Sequence, residues 1–378
     1  MDFSLNSEQI LLKDTVTRFL GAHSPFESLA AARAEPFGWR SGVWQGMVEL
    51  GLAGLPFAED DGGFGGGPEE VMIVMEALGA AQPPEPYLTT AILGGTILKS
   101  ASESARAGLI GQIAEGTLRL AVAWQEAATR WSADEITASA EPSGSGFLLS
   151  GRKAFVLDLA GASHVVIAAR LGAGLGLFLA AADRLTGRTT GYATPDGRRA
   201  GDIDLGGLWL EADALIVAPD EGGEVLSRAL DAAAAALACE AVGAMQAALD
   251  LTVEYLKTRK QFGVPIGSFQ ALQHRAADMF VALEQARSMA MRAIMAQSSL
   301  PSEASAREIA AAMVQIIDAS RYIGQQAVQL HGGIGMTEEY RLGILFRRLT
   351  MIGRLFGDRD HFLDRLVAGP SLLERIEP

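Results

Sequence analysis

The chain has 378 residues, of which 49% are hydrophobic and 20% charged, with a formal net charge of −14 and a single cysteine, Cys239. This size and composition predict an ordered globular protein of two or three domains with a large core and no internal disulfide framework. So acidic a surface repels nucleic-acid phosphates and anionic lipid, so neither nucleic acid nor a membrane is expected as a partner.

The N-terminus, Met1-Asp2-Phe3-Ser4, opens no cationic-then-apolar signal pattern. No uninterrupted apolar run reaches the roughly 18 residues of a membrane helix. A cytoplasmic protein is expected.

Residues 1–118 read as a helical domain. Asn6-Ser7-Glu8-Gln9 caps a helix whose apolar residues Ile10, Leu11, Val16, Phe19 and Leu20 recur at helical spacing. Further helices are expected over 39–50 and 68–78, with a pair over 89–115. The glycine-rich stretch 60–67 lacks the Lys-Ser/Thr of a phosphate loop and reads as a linker. From 119 to 221 the pattern turns to short apolar or alternating runs at 118–124, 146–157, 164–169, 175–181 and 202–217. These predict a middle antiparallel β-domain, barrel-like in size. Residues 222–378 predict a C-terminal four-helix bundle, with helices over 225–260, 270–298, 302–330 and 343–367. The fold class is therefore α+β, and a ligand crevice is expected where the domains meet.

Two glycine-broken corners in the helical part carry chemistry-bearing side chains. The first is Arg259-Lys-Gln-Phe-Gly-Val-Pro-Ile-Gly-Ser-Phe-Gln270. Arginine forks onto a phosphate with two hydrogen bonds, Phe262 can lie against a ring, and Gln270 both donates and accepts. The same spacing also suits a plain helix C-terminus followed by a hydrophobic turn. The second is Gln329-Leu-His-Gly-Gly-Ile-Gly-Met-Thr-Glu-Glu-Tyr340. Its glycines let backbone approach a ligand closely, or simply make a tight interhelical turn. His331 alone is more often structural than catalytic, and Glu338 and Glu339 read as first-turn acids of the next helix. Asp358, Asp360, His361 and Asp364 read as a solvated helix start, and no metal site is expected.

Together with Glu49-Leu-Gly-Leu-Ala-Gly-Leu55, Glu76-Ala-Leu-Gly79 and Leu149-Ser-Gly-Arg-Lys-Ala-Phe155-Val156, these corners resemble the acyl-CoA dehydrogenases over nearly the whole chain. The resemblance implies FAD as cofactor. It assigns Arg259, Gln261, Phe262, Ile266 and Gln270 to FAD, usually across a subunit interface. Gln329, His331, Gly332 and Gly333 complete the grip, and Phe155 lies beside the flavin. It further implies α,β-dehydrogenation of an acyl-CoA thioester, a dimer or tetramer, and an electron-transfer flavoprotein as acceptor.

The chain departs from the family at the catalytic base. Phe356, within Leu355-Phe356-Gly357-Asp358, stands where the family's usual glutamate stands. Ala233 and Ala234 stand at the alternative position near the start of the long helix. The family's Thr-Glu-Pro-Gly-x-Gly-Ser loop reads Gln125-Glu-Ala-Ala-Thr-Arg-Trp131, and its strand threonine reads Leu157. Losing a positioned base costs about 10²–10⁴-fold in rate. Three readings follow. The chain is a subunit working beside a base-bearing paralogue, as its Phe-Gly-Asp-x-Asp-His ending resembles the smaller subunits of heteromeric acyl-CoA dehydrogenases acting on steroid side chains or on dicarboxylic and other bulky acyl-CoAs. Or it is self-sufficient with a relocated base: Glu240, two helical turns beyond Ala233 on the same side, or Asp358, or Glu126. Or it binds flavin or acyl-CoA without chemistry.

Overall fold

The computed structural model describes residues 5–337 and 339–368, so Glu338 lies outside the described residues. The Asn6 cap forms as a reciprocal pair: Asn6 Oδ1 accepts from the Gln9 N–H at 2.9 Å, and Gln9 Oε1 accepts from the Asn6 N–H at 3.1 Å. It opens the helix Ser7–His23.

The chain divides into two compact units. One draws on Met1–Phe26, Pro68–Pro83 and Ala234–Pro378, the other on Glu27–Gly67 and Pro84–Ala233. The boundary falls inside the helix Gly222–Thr258, between Ala233 and Ala234.

The first unit is helical. Gln270–Ser299 and Ser302–His331 follow the long helix, as the periodicity predicts. The last helix, expected over 343–367, is instead two, Arg341–Ile352 and Arg359–Val367. The chain leaves the first at Gly353, and Asp358 starts the second by accepting from the His361 N–H at 2.9 Å. The expected solvated helix start is thus a capped one.

Within this unit the helix Pro68–Ala81 crosses the long helix backbone to backbone. A Cβ on Gly79 would stand 1.9 Å from the Glu240 carbonyl oxygen, and one on Gly243 would stand 1.9 Å from that of Glu76. Only glycine admits so close a crossing. Arg287 pairs with Glu76 at 3.0 Å beside it. By length and composition Gly222–Thr258 is apolar enough to span a bilayer, although Glu240 keeps it from being an uninterrupted apolar run. The most apolar stretch is 94% buried within the protein, so its apolarity faces the core.

The second unit holds the sheets. The larger is ordered Leu215–Val217, Gly174–Ala181, His164–Leu171, Ser139–Ser143, Gly146–Ser150, Leu208–Glu211, with Leu120–Ala123 also on His164–Leu171. It is mainly antiparallel, but Leu120–Ala123 and Ser139 pair with His164–Leu171 in parallel. The smaller joins Arg152–Leu157, Arg199–Asp204 and Thr189–Ala193, all antiparallel. Between them lies an aliphatic core that includes Val165, Ile167, Phe178, Ile203 and Leu205. A helix unforeseen from the sequence, Phe26–Ala34, precedes these strands; its alanines give it no clear apolar stripe.

One buried ion pair anchors the loop after Leu120–Ala123. Lys153 Nζ meets Glu126 Oε1 at 2.7 Å, with both side chains buried. The other Glu126 contacts are the Thr137 and Ala138 N–H groups, each at 2.9 Å, and the Thr137 hydroxyl. Burial alone would raise the Glu126 pKa, but Lys153, Thr137 and Ala138 outweigh it and hold the carboxyl at about 2. Burial in turn draws Lys153 down to about 8 against the pull of Glu126. Glu126, considered from sequence as a base, is therefore a structural anchor.

Because its folded pKa lies below its unfolded one, Glu126 stabilises the fold above about pH 4.5, and that contribution is lost as pH falls towards 2. E126Q is expected to cost about 3 kcal/mol in urea unfolding at pH 7 and to flatten the acid limb between those values. G243A is expected to destabilise by at least about 2 kcal/mol in the same assay, because the new methyl must force two helices apart.

Candidate functional site

The Arg259–Gln270 corner is a miniature hairpin set between two long helices. Lys260–Gln261 pairs antiparallel with Val264–Pro265. The two turn residues, Phe262 and Gly263, have φ of +55° and +81°. Both central residues at positive φ are what a tight two-residue hairpin needs, which normally selects Asn-Gly. A phenylalanine there costs on the order of 1–2 kcal/mol. It is also 91% exposed. Strain and exposure together mark a side chain placed for an external contact rather than for the fold. Phe269 meets it edge-on, with ring centroids 6.2 Å apart.

Backbone bonds close the corner: the Arg259 N–H donates to Tyr255 O and the Ile266 N–H to Arg259 O, each at 2.8 Å. Gly267 sits against the Leu256 carbonyl, where a Cβ would stand 2.8 Å from the oxygen. The side chains of Arg259, Gln261 and Gln270 point outward and make no hydrogen bond or ion pair among the described residues.

The second corner is joined to the first by a histidine. His331 ends the helix Ser302–His331 and is buried. Its ring stacks on Tyr255, centroids 4.6 Å apart, one turn before Arg259. Its Nδ1 lies 2.8 Å from the Ala327 carbonyl, which can only accept, so Nδ1 carries the proton. Nε2 is then free to accept from the Tyr340 hydroxyl at 3.3 Å. Burial lowers the His331 pKa and keeps the ring neutral. The histidine is thus a wedge between the two motifs. Gly332 then turns the chain at φ +63°, ψ −140°, a region open to glycine. Gly332, Gly333 and Gln329 are exposed, and a Cβ on either glycine would meet only open space.

Phe155 belongs to the other unit. The register between Arg152–Leu157 and Arg199–Asp204 shifts between Lys153 and Val156, and Phe155 takes φ of +55° at that bulge. Its N–H is turned to Asp202 Oδ1 at 3.0 Å and to the Tyr192 hydroxyl at 3.2 Å. Bulges of this kind re-aim side chains beside active sites. The sequence singles out Phe155 by resemblance but carries no sign of the bulge.

Neither position at which the resemblance places a base holds a carboxylate. Phe356 is 5% exposed, and Ala233 and Ala234 are buried. The other two carboxylates considered as relocated bases, Glu240 and Asp358, are also engaged. Both oxygens of Glu240 are forked by Arg348, Oε1 to Nε at 2.7 Å and Oε2 to Nη2 at 2.9 Å. Asp358 caps its helix and lies 3.7 Å from Arg354. The Arg348 partner was missed from sequence; an arginine on the inward face of an amphipathic helix was its only signal.

Comparison with known proteins identifies the family. The acyl-CoA dehydrogenase N-terminal domain model matches residues 6–117, and the C-terminal domain model matches 220–365. An acyl-CoA dehydrogenase, IpdE2, of Mycolicibacterium smegmatis is 31% identical over 96% of this chain and 99% of its own length. IpdE2 of Mycobacterium tuberculosis is 30% identical over 95% of this chain and 96% of its own length. A solved structure described as a Tcur3481-Tcur3483 steroid ACAD variant is 28% identical, with a TM-score of 0.87, over 96% of this chain and 98% of that one. Two motif corners locked together by His331, and domain matches covering both helical ends, lead to one assignment: this chain is a member of the acyl-CoA dehydrogenase family, FAD-dependent oxidoreductases that act on the CH–CH group of acyl-CoA thioesters.

Proposed function

We infer that this chain holds FAD on the joined corners and takes part in α,β-dehydrogenation of an acyl-CoA as the subunit that lacks a base, its proton acceptor being supplied by a base-bearing paralogue. The observation that carries this reading is the pairing of outward, unengaged FAD-type donors with a base position filled by a buried phenylalanine.

The residues present fit the cofactor. Arg259 presents a guanidinium with no protein partner, suited to a pyrophosphate. Gln261, Gln270 and Gln329 offer amide donors and acceptors, and the bare backbone of Gly332 and Gly333 permits close approach. Ile266 and Phe262 supply apolar surface. FAD, when bound, takes the hydride that leaves the β-carbon of the thioester. The chain's own share is binding and polarisation. The Phe356 N–H makes no backbone hydrogen bond among the described residues, so it remains available to a thioester carbonyl oxygen. What this chain does not provide is a group to take the α-proton. Neither phenylalanine nor alanine accepts a proton, and freeing Glu240 would strand the Arg348 charge in the core.

The corner faces outward, and apolar residues share its elements: Phe280 and Val281 on the helix Gln270–Ser299, Ile334 and Met336 in the second motif. Exposed apolar surface of this kind suits burial against another subunit. Similarity to a solved two-component steroid ACAD supports a heteromer over a homo-oligomer and a bulky acyl group as substrate. An electron-transfer flavoprotein is the acceptor we assign.

R259A and Q270A are each expected to lower flavin occupancy at least about tenfold, read as flavin absorbance per protein after gel filtration. F262G is expected to lower occupancy as well, yet to raise the unfolding midpoint of the flavin-free protein by relieving the left-handed backbone. F356E should increase the rate of anaerobic flavin bleaching by acyl-CoA at least about tenfold over the size-matched F356Q, recovering part of the 10²–10⁴ that a base contributes. Equal rates in the two variants would remove the missing base as the reason for low activity.

A further inference from the structure

Within the first unit, four helices surround a cavity of about 510 Å³ that shares no residue with either corner. Each helix presents one face to it. Lys13 and Thr17 stand one turn apart on Ser7–His23, and Ile73, Ala77 and Ala80 recur at helical spacing on Pro68–Ala81. Gly243 and Gln246 come from the long helix, and Arg287 from Gln270–Ser299. The close crossing, where the Glu76 carbonyl meets Gly243, forms part of the wall. Further along, Gln9 Nε2 donates to Glu70 Oε1 at 2.9 Å and ties Ser7–His23 to Pro68–Ala81.

Met72, Ile73, Ala77 and Ala80 make the cavity apolar, and two cations border it, Lys13 and Arg287. Lys13 is exposed and makes no ion pair or hydrogen bond among the described residues. Arg287 is braced on three sides. Its Nη1 donates to Glu76 Oε2 at 3.0 Å and its Nη2 to Gln246 Oε1 at 2.8 Å, while Nε lies 3.4 Å from Glu284 Oε1. A guanidinium carries five N–H groups, so one on each terminal nitrogen is left over. Glu76 is the one acid of the lining, and Arg287 already holds it. Burial raises the Glu76 pKa against the pull of Arg287 and then of Lys13, which puts both cations in one electrostatic neighbourhood.

A cavity of this size lies in the range of small-molecule sites, which are mostly apolar with a few polar groups that fix orientation. Apolar walls take a hydrocarbon body. An unpaired lysine beside an arginine with N–H groups to spare takes an anionic head, because hydrogen bonds from a cation to a carboxylate are the strong ones. An alkylammonium meets two cations and one acid that is already engaged. An uncharged alcohol leaves the Lys13 charge without a partner.

We propose that this cavity is a binding site for a free monocarboxylate with a medium-length hydrocarbon body, its carboxylate held by Lys13 and Arg287 and its chain against Met72, Ile73, Ala77 and Ala80. The site goes beyond the acyl-CoA reading above and does not depend on it. Because the lining comes from four helices of one unit, the bound acid ties Ser7–His23 to the bundle and stabilises the folded state by linkage. Hydrolysis of an acyl-CoA thioester releases acids of this class.

The test is calorimetric binding of hexanoate, octanoate and decanoate, with octanol and octylamine as controls. It uses the FAD-loaded protein together with whichever subunit co-purifies. At least one acid is expected to bind with a Kd below about 1 mM, at least about tenfold more tightly than either control, and to raise the unfolding midpoint. K13Q, at an exposed position with no protein partner, is expected to keep fold and flavin occupancy while weakening the acid at least about tenfold. A77F fills the cavity and is expected to abolish binding; if A77F does not fold, K13Q alone decides. No binding by any acid overturns the proposal, as does an affinity for octanol or octylamine equal to that for octanoate, or an affinity that K13Q leaves unchanged. Displacement of octanoate by octanoyl-CoA in a one-to-one competition also overturns it, because the acid then occupies the thioester's own pocket.

Discussion

Everything proposed for the cofactor depends on one side chain, the neutral His331 ring held between Tyr255 and Tyr340. The two glycine-rich corners are about seventy residues apart in sequence, and nothing local ties them. The stack on Tyr255 fixes the end of the long helix one turn before Arg259, while the hydrogen bonds to Ala327 and Tyr340 fix the ring's tautomer and tilt. A charged imidazolium would put a proton on Nε2, where it now accepts, and burial opposes that charge. The histidine is thus chemically quiet, and its value is rigidity: donors that must meet one dinucleotide are useful only if their relative positions are preset.

The same unit spends its buried charge on structure. Glu240 and Arg348 neutralise each other on facing helices, beside a crossing at Gly79 and Gly243 that is too close for any other residue. A fork this buried is costly to open, because either partner left alone is an uncompensated charge in the core. The best-placed carboxylate for a relocated base is therefore committed to packing, and Glu126 is committed to Lys153 in the other unit. The acids that might have replaced the missing base are engaged by the fold itself.

Much of this was readable from the sequence because the relevant signals are local. Periodicity located the long helices to within a few residues, the Asn6–Gln9 spacing described a real cap, and the motif spacing singled out the corners. What escaped were contacts between distant residues and departures from regular geometry. The bulge at Phe155 leaves no mark in an apolar strand pattern. The left-handed Phe262 violates the turn rule that sequence reading relies on. Glycines 353 and 357 inside an amphipathic stretch gave little warning that the final helix breaks in two. The partners of Glu126 and Glu240 lie 27 and 108 residues away, where no periodicity reaches. Departures of this kind are expected where function, rather than folding, sets the residue.

The account turns on a flavin site without its own base. The most direct measurement is stopped-flow, anaerobic bleaching of the flavin by acyl-CoA, made on the purified chain alone and again after reconstitution with a base-bearing paralogous subunit. The account predicts a yellow protein that bleaches slowly alone and about 10²–10⁴-fold faster in the complex. Full-rate bleaching by the isolated chain, with no further gain from the partner, would contradict it.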